Sequence, residues 1–390
     1  MNSTPLTIIA DGHIWGVRSA FAEFSGHAVD LRVVEAREIS PSLVQGADIL
    51  LTRSSTKVNA ALLAGSSVRF AATATVGDDH YDKHWLAGNG IAFASAAGSS
   101  TGSVIEYMLA ALLHLHAAGR LHLANATIGI VGVGRIGSAL AELLGRLGVR
   151  TLLCDPPRAR REGSAGFVDL AAILAEADLI TLHTPLERGG EDATFHLLDS
   201  ARLSQFQGKG ILNAARGAVI DNRALLTWLN GDPHRYAALD CWEGEPEIGR
   251  VLLAHPCMAL ATAHIAGHSL DGKAANTQAV YDALCAWLGV APTWRMEQEL
   301  PPTAPLTVTL PETNDPWLAL HALVAQLYAI AADDTALRAL LAEPTLAPGF
   351  ARLRRFYPPR RAFGQHLLTL GGGNRAAHAL IERAGLFRAL

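Results

Sequence analysis

Two groups of residues in this chain have the types and spacing to do chemistry. The first is Gly132-Val133-Gly134-Arg135-Ile136-Gly137, a G-x-G-x-x-G run that follows the apolar stretch Ile128–Val131. In such a run the first glycine allows a tight turn. The second lets the backbone approach a pyrophosphate, and the third lets a helix pack close to its strand. The helix that follows, with Ala139, Leu140, Leu143, Leu144 and Leu147 at helical spacing, points its free N–H groups at the anion. A second apolar stretch, Thr151–Cys154, ends in Asp155, 155 − 137 = 18 residues beyond Gly137. That is close to the ~20-residue spacing of the acid that binds ribose hydroxyls. The pattern predicts a dinucleotide site with Gly132, Gly134, Arg135, Ile136, Gly137 and Asp155 as contacts. Asp155 favours NAD, because a carboxylate repels the 2′-phosphate of NADP. Arg158, Arg160 and Arg161 could attract that phosphate, but read more simply as a solvated charge run.

The second group is Arg216, Glu245 and His264, each just beyond the end of an expected strand. Oxidising a 2-hydroxy acid by hydride transfer needs a base for the hydroxyl proton. It needs a cation for the carboxylate and the C2 oxygen, and a carboxylate that orients the base and stabilises its protonated form. His264, Arg216 and Glu245 supply those types. Singly each has a plain alternative: one of 16 histidines, a helix-start charge, a turn residue in Glu243-Gly244-Glu245-Pro246.

Elements that could position both groups alternate along the chain. Leu6–Ala10, Leu31–Val34, Ile49–Thr52, Phe70–Thr75 and Ile91–Ala94 read as strands, with helical patterns at Val17–Phe24 and Asn59–Leu63 between them. Ser103-Val104-Ile105-Glu106 matches a capping box opening a helix. A second series follows, with strands at Ile128–Val131, Thr151–Cys154, Leu179–His183, Ile211–Ala214, Ala237–Leu239 and Ala259–Ala263, then a helix at Gly272–Leu288. Such alternation implies parallel sheets covered on both faces. Prolines cluster from Pro292 to Pro311 and mark a domain edge. Beyond it, a strand at Leu306–Leu310, a helix at Trp317–Ala331, a strand at Leu367–Leu370 and a helix from Asn374 make a small α+β module. The expected domains are 1–97 with 270–290, 98–269, and 291–390.

Composition narrows the partners. The chain has 390 residues, half of them hydrophobic and 17% charged, with a net charge of -4. That balance suggests no nucleic-acid partner. No apolar run reaches the ~20 residues of a membrane span, and the first ten residues lack the basic start of a signal peptide. Cys154, Cys241, Cys257 and Cys285 form no C-x-x-C pair and read as buried free thiols of a reducing cytoplasm.

Three blocks resemble the signatures of D-2-hydroxyacid dehydrogenases: Asn213-Ala214-Ala215-Arg216-Gly217-Ala218-Val219-Ile220-Asp221, Leu239-Asp240-Cys241-Trp242-Glu243-Gly244-Glu245-Pro246, and Thr262-Ala263-His264-Ile265-Ala266-Gly267. The resemblance implies an α/β fold of two doubly wound parallel-sheet domains. These are a flavodoxin-like substrate domain and a Rossmann NAD domain, followed by a small α+β C-terminal dimerisation domain found in one branch of the family. It implies NAD as cofactor, a phosphorylated 2-hydroxy acid as substrate and a homodimer through 291–390. It also implies Arg216, Glu245 and His264 as catalytic residues, with His264 the proton donor in the reductive direction. Asp155, Thr184, Ala214, Ala215, Arg216, Asp240 and Gly267 would line the NAD site; no metal is implied. Ser54 and Thr75 would contact substrate, and Arg53 is the first candidate for a substrate phosphate, with Lys57 second and Arg354 and Arg355 further off. Two departures fall near the substrate: His268 stands where the family usually has Tyr, and Gly98-Ser99-Ser100-Thr101 where it usually has Gly-Cys-Asn-Ala. Two other readings stay open: a relative acting on another acid such as 3-phosphoglycerate or glycerate, and a non-catalytic NAD-binding sensor or corepressor.

Overall fold

The computed structural model describes residues 5–389. It forms two compact units: residues up to Gly102 with Ser269–Pro302, and Ser103–His268 with the residues from Thr303 onward.

The first unit is built on five parallel strands in the order Val29–Val34, Leu6–Asp11, Ile49–Thr52, Phe70–Thr73, Ala92–Ser95. Numbered along the chain this is 2-1-3-4-5. The central strands are apolar on both sides, because helices cover both faces of such a sheet; Ile49, Leu50 and Leu51 are fully buried. The helix Leu270–Leu288 returns to this unit and packs Val280, Tyr281, Leu284 and Cys285 against Ile8, Phe21 and Phe70. Two hydrogen bonds pin its first turns near strand carboxyl ends: Ser99 Oγ to Asn276 Oδ1 at 2.5 Å and Thr277 Oγ1 to the Trp15 carbonyl at 2.7 Å. The early helix is shorter than the pattern Val17–Phe24 suggests. It ends at Ala20, and the chain turns back through Gly26 at φ +77° while Phe21 and Phe24 stay in the core.

The second unit holds six parallel strands in the order Met258–Ala261, Tyr236–Leu239, Gly210–Asn213, Leu179–Leu182, Thr127–Val131, Arg150–Cys154. The order reverses between Thr127–Val131 and Leu179–Leu182, and ligands of open α/β sheets bind at the carboxyl ends around such a reversal.

Residues from Thr303 onward share this unit's core. Three parallel strands, Leu306–Leu310, Leu367–Gly372 and Arg388–Ala389, form a small sheet. The helix expected over Trp317–Ala331 is two, Pro316–Leu327 and Ile330–Ala339. The break falls at Tyr328, whose hydroxyl reaches Asp333 Oδ2 at 2.9 Å. Leu320, Leu323, Val324, Leu327 and Ile330 are buried in one cluster with the helices Thr101–Ala117 and Arg135–Leu147. Burial of each such side chain stabilises the fold by about 1.5–3 kcal/mol. Among the large apolar side chains of this stretch only Leu318 remains exposed.

Polar ties add to the packing. Asp334 accepts from Ala261 N at 2.7 Å, Arg338 donates to the Leu253 and Met258 carbonyls, and Arg250 donates to those of Leu341 and Glu343. The edge strand Met258–Ala261 is thus capped by side chains from the helix Ile330–Ala339. Glu106 is not the N3 acid of a capping box. Its helix starts at Thr101, and its buried carboxylate accepts from Arg360 Nη1 and Phe363 N, both at 2.6 Å. A partner 254 residues away outweighed the local pattern. The four cysteines are buried and unpaired. Among the described residues no helix is long and apolar enough to cross a membrane.

Candidate active site

The glycine run sits between the strand Thr127–Val131 and the helix Arg135–Leu147. Gly132 has φ +88°, and a Cβ there would lie 2.7 Å from the His183 carbonyl carbon. A Cβ on Gly137 would meet the Gly132 oxygen at 2.0 Å, whereas one on Gly134 would meet nothing within 4 Å. Two glycines are needed for packing and the third leaves open space for a ligand. Asp155 braces this turn: its Oδ2 accepts from Val133 N at 2.8 Å and its Oδ1 from Arg158 N at 2.9 Å. Across the strand-order reversal, the Thr184 hydroxyl and His183 Nδ1 are shielded from solvent without a hydrogen-bond partner among the described residues. Burial holds the His183 imidazole neutral, its pKa pushed down to about 4. Open backbone beside Gly134, a braced acid and unpaired buried polar atoms opposite fit a dinucleotide. The arginines after Asp155 are committed elsewhere. Arg158 Nη1 bonds the Val133 carbonyl and Ser138 Oγ, Arg160 pairs with Asp192 and Arg161 with Glu162. That favours the charge-run reading and NAD over NADP.

His264 and Glu245 are joined directly, Nδ1 to Oε2 at 2.7 Å. Glu245 Oε1 accepts from Trp242 N at 2.6 Å, so both carboxylate oxygens are fixed. Burial pushes the Glu245 carboxyl up, but the His264 charge and hydrogen bond, the Trp242 amide and the Arg354 charge outweigh it and hold it below the usual range. His264 occupies a left-handed backbone conformation, φ 53°. Asp240 holds that turn in place. Its carbonyl accepts from His264 N, its Oδ1 from Thr262 Oγ1 and Ile265 N, and its Oδ2 from Ala266 N at 3.0 Å. Burial raises the Asp240 carboxyl above the ordinary value. Asn213 does the same for the loop of Arg216: its amide donates to the Arg216 carbonyl and its oxygen accepts from Ala215 N. Gly217 is where this loop meets the Trp242 backbone; a Cβ there would come within 1.9 Å of it.

Arg216, Glu245 and His264 all belong to the second unit, as do the glycine run, Asp155, Thr184, Ala214, Ala215, Asp240, Gly267 and His268. The His268 ring meets Tyr357 edge-on at 5.9 Å. Cys241, beside this group, is a thiol pushed well up by burial that donates to the Ala215 carbonyl. Cys241, Glu245 and His264 each bring a ligand-type atom within 4.8 Å of the others, but each of those residues is already held in the hydrogen bonds just described. Arg53, Ser54 and Thr75 lie in the first unit, past the carboxyl ends of Ile49–Thr52 and Phe70–Thr73. Ser54 and Lys57 are exposed, and Thr75 Oγ1 donates to the Gly77 carbonyl. The sequence reading missed Asn213 and Thr262 as positioning residues, although both stand inside the quoted blocks. It named Asp240 only for the cofactor.

A model of the D-isomer specific 2-hydroxyacid dehydrogenase NAD-binding domain matches residues 114–266. An erythronate-4-phosphate dehydrogenase of Pseudomonas aeruginosa (strain UCBPP-PA14) is 42% identical over 370 residues, covering 94% of this chain and 96% of that protein. One of Pseudomonas savastanoi pv. phaseolicola is 41% identical, covering 97% and 99%. The solved D-lactate dehydrogenase of Aquifex aeolicus, complexed with NAD and lactic acid, superposes with a TM-score of 0.60 at 20% identity, over 72% of this chain and 95% of that one. The chain belongs to the D-isomer specific 2-hydroxyacid dehydrogenases and, within them, to the erythronate-4-phosphate dehydrogenase family. It is an NAD-dependent oxidoreductase.

Proposed function

We propose that this enzyme oxidises 4-phospho-D-erythronate at C2 to (R)-3-hydroxy-2-oxo-4-phosphobutanoate, as a step of pyridoxal 5′-phosphate biosynthesis. The observation that carries the reading is the 2.7 Å Glu245–His264 bond in a chain so similar to enzymes named for that substrate. With Glu245 accepting at Nδ1, Nε2 is the imidazole atom left for the C2 hydroxyl proton. Glu245, held ionised, stabilises the imidazolium that forms. Arg216 binds the C1 carboxylate and polarises the C2 oxygen. Bound NAD would supply the acceptor for the hydride that leaves C2. Ser54, Thr75 and His268 contact the substrate, and Arg53 is a cation for its phosphate. Thr184, Ala214, Ala215 and Gly267 line the cofactor, and Asp240 adds a cofactor contact to its bracing role.

The protein works as a cytoplasmic homodimer through residues 291–390, in keeping with four unpaired buried thiols. Light scattering on the full chain should return twice the 41.3 kDa subunit mass; a monomer would sink the dimer. Truncation is unsuited to this question, because it would strip the core of the second unit. The activity test is purified protein with NAD, a 2-oxo acid acceptor and 4-phosphoerythronate, beside 3-phosphoglycerate and glycerate. Preference for 4-phosphoerythronate is expected. Preference for another acid would replace the substrate, and no turnover of any of them would favour a binding role.

A further inference from the structure

Arg354 lies at the carboxyl end of the helix Ala347–Arg355, which the sequence reading did not foresee. Phe350 anchors this helix, fully buried in the cluster that contains Trp242 and Ile248. The Trp242 amide is the donor that fixes Glu245. Three residues past Arg354, Tyr357 packs its ring against His268, and its hydroxyl is held by Asp333 Oδ2 at 2.9 Å. His268 follows His264 by four residues. Segment 354–357 therefore borders the turn that carries the proton-transfer pair.

Other arginines that hold the C-terminal residues in place are spent on partners: Arg250 and Arg338 on carbonyls, Arg352 on Glu343, Arg360 on Glu106. Arg354 differs. It is half-buried, its Nε is shielded from solvent, and its side chain makes no hydrogen bond or ion pair among the described residues. Its charge is nevertheless felt by both Glu245 and Cys241. A guanidinium N–H withdrawn from water without a partner is costly unless an acceptor completes it. Its planar fork of donors matches a phosphate.

We propose that Arg354 receives the far anionic group of the substrate, a phosphomonoester dianion, while Arg216 takes the carboxylate. The inference rests on the reaction read above and makes Arg354 a specificity-determining residue. It places a phosphate-binding cation on the same unit as the catalytic pair.

The test uses the full-length enzyme with NAD. Two quantities are measured: the ratio of kcat/KM for 4-phosphoerythronate over unphosphorylated erythronate, and the calorimetric affinity for inorganic phosphate. Arg354→Met is expected to lower the ratio by about 10- to 100-fold, the range for a hydrogen bond to a charged group. It should weaken phosphate binding similarly, while NAD affinity reports that the variant is folded. Arg354→Lys should recover part of the loss, and it carries the comparison if the methionine variant does not fold. Equal decline for both acids would overturn the proposal, because Arg354 would then act only through Glu245. So would an Arg53→Met variant that carried the whole selectivity loss while Arg354→Met carried none. If the wild type turns over neither acid, the proposed reaction fails on its own. Phosphate calorimetry then decides the anion site, and unchanged affinity in Arg354→Met removes it.

Discussion

The carboxyl edges of the two large sheets hold their candidate residues in different ways. In the second unit each candidate catalytic residue is tied down by hydrogen bonds to another buried residue. Asp240 makes three side-chain bonds to residues 262–266, Asn213 closes the loop of Arg216, and the Trp242 amide holds Glu245. In the first unit Ser54 is exposed and Thr75 bonds only close neighbours among the described residues, the Thr73 hydroxyl and the Gly77 carbonyl. Proton transfer requires placement within about 0.5 Å, which a supporting layer of hydrogen bonds provides. Recognition of a flexible polyol acid tolerates looser side chains. We read the contrast as putting proton transfer and the anion-binding arginines on the second unit and looser polar contacts to the acid on the first, and it can be broken at several points.

The largest effect should come from the pair itself. His264→Ala removes the general base and should lower kcat/KM by about 10²–10⁴-fold. Glu245→Gln should fall in the same range, because the amide keeps the shape and loses the charge that stabilises the imidazolium. Steady-state rates check both; a variant within threefold of wild type would break the comparison at its centre.

Next in size is the ion pair of Arg360 and Glu106, with both side chains under 9% exposed. Removing one partner of such a pair typically costs about 3–5 kcal/mol. Arg360→Met should therefore shift the denaturant midpoint of the second unit as a whole. If residues 303–390 melted separately while the dinucleotide-binding sheet stayed folded, the shared core would not be one cooperative body. Asp240→Asn comes third. It places an amide where two N–H groups and a hydroxyl donate, at a cost of about 1–3 kcal/mol, and should lower kcat by disturbing the His264 turn. Loss of stability with kcat intact would show that the bracing is structural only.

These effects follow the line between what the sequence disclosed and what it did not. The glycine run, Asp155 and the three candidate catalytic residues stand out in the sequence because their patterns are local: a turn, a strand end, a motif of eight or nine residues. Strand positions were legible because buried parallel strands are continuous apolar runs. The rest depends on contacts distant in sequence. Glu106 imitates a capping acid until Arg360 is seen beside it. The helix over Trp317–Ala331 looks continuous until Tyr328 turns out to bond Asp333. The apolar side chains along it are covered by the chain's own helices Thr101–Ala117 and Arg135–Leu147. In the sequence Arg354 is only a remote phosphate candidate paired with Arg355, and its position against the Glu245 turn is what separates the two.

Smaller effects sharpen the other side of the comparison. Ser54→Ala and Thr75→Ala should each raise KM for the acid by about 2- to 10-fold, the worth of an ordinary hydrogen bond, with kcat nearly intact. A fall in kcat of a hundredfold in either variant would move chemistry onto the first unit.

The smallest expected effect is a pH dependence confined to the first unit. Lys273, in the first turns of the helix Leu270–Leu288, is pushed down to about 8, first by burial and then by the charge of Arg53. Its value without the fold is 10.5. Between those two pH values the unfolded chain binds a proton there that the folded chain has released. Stability therefore rises with pH across that window. Below pH 8 the ammonium is charged in both states, and the folded state bears the full cost of holding it beside Arg53. Lys273→Met should remove that cost, so the variant gains most over wild type below pH 8 and the gain shrinks toward pH 10.5. Denaturant midpoints of both proteins at pH 7, 9 and 10 measure it. A constant difference across the series would mean that Lys273 is solvated like any surface lysine, and that the first unit's edge holds its cations as loosely as its hydroxyls.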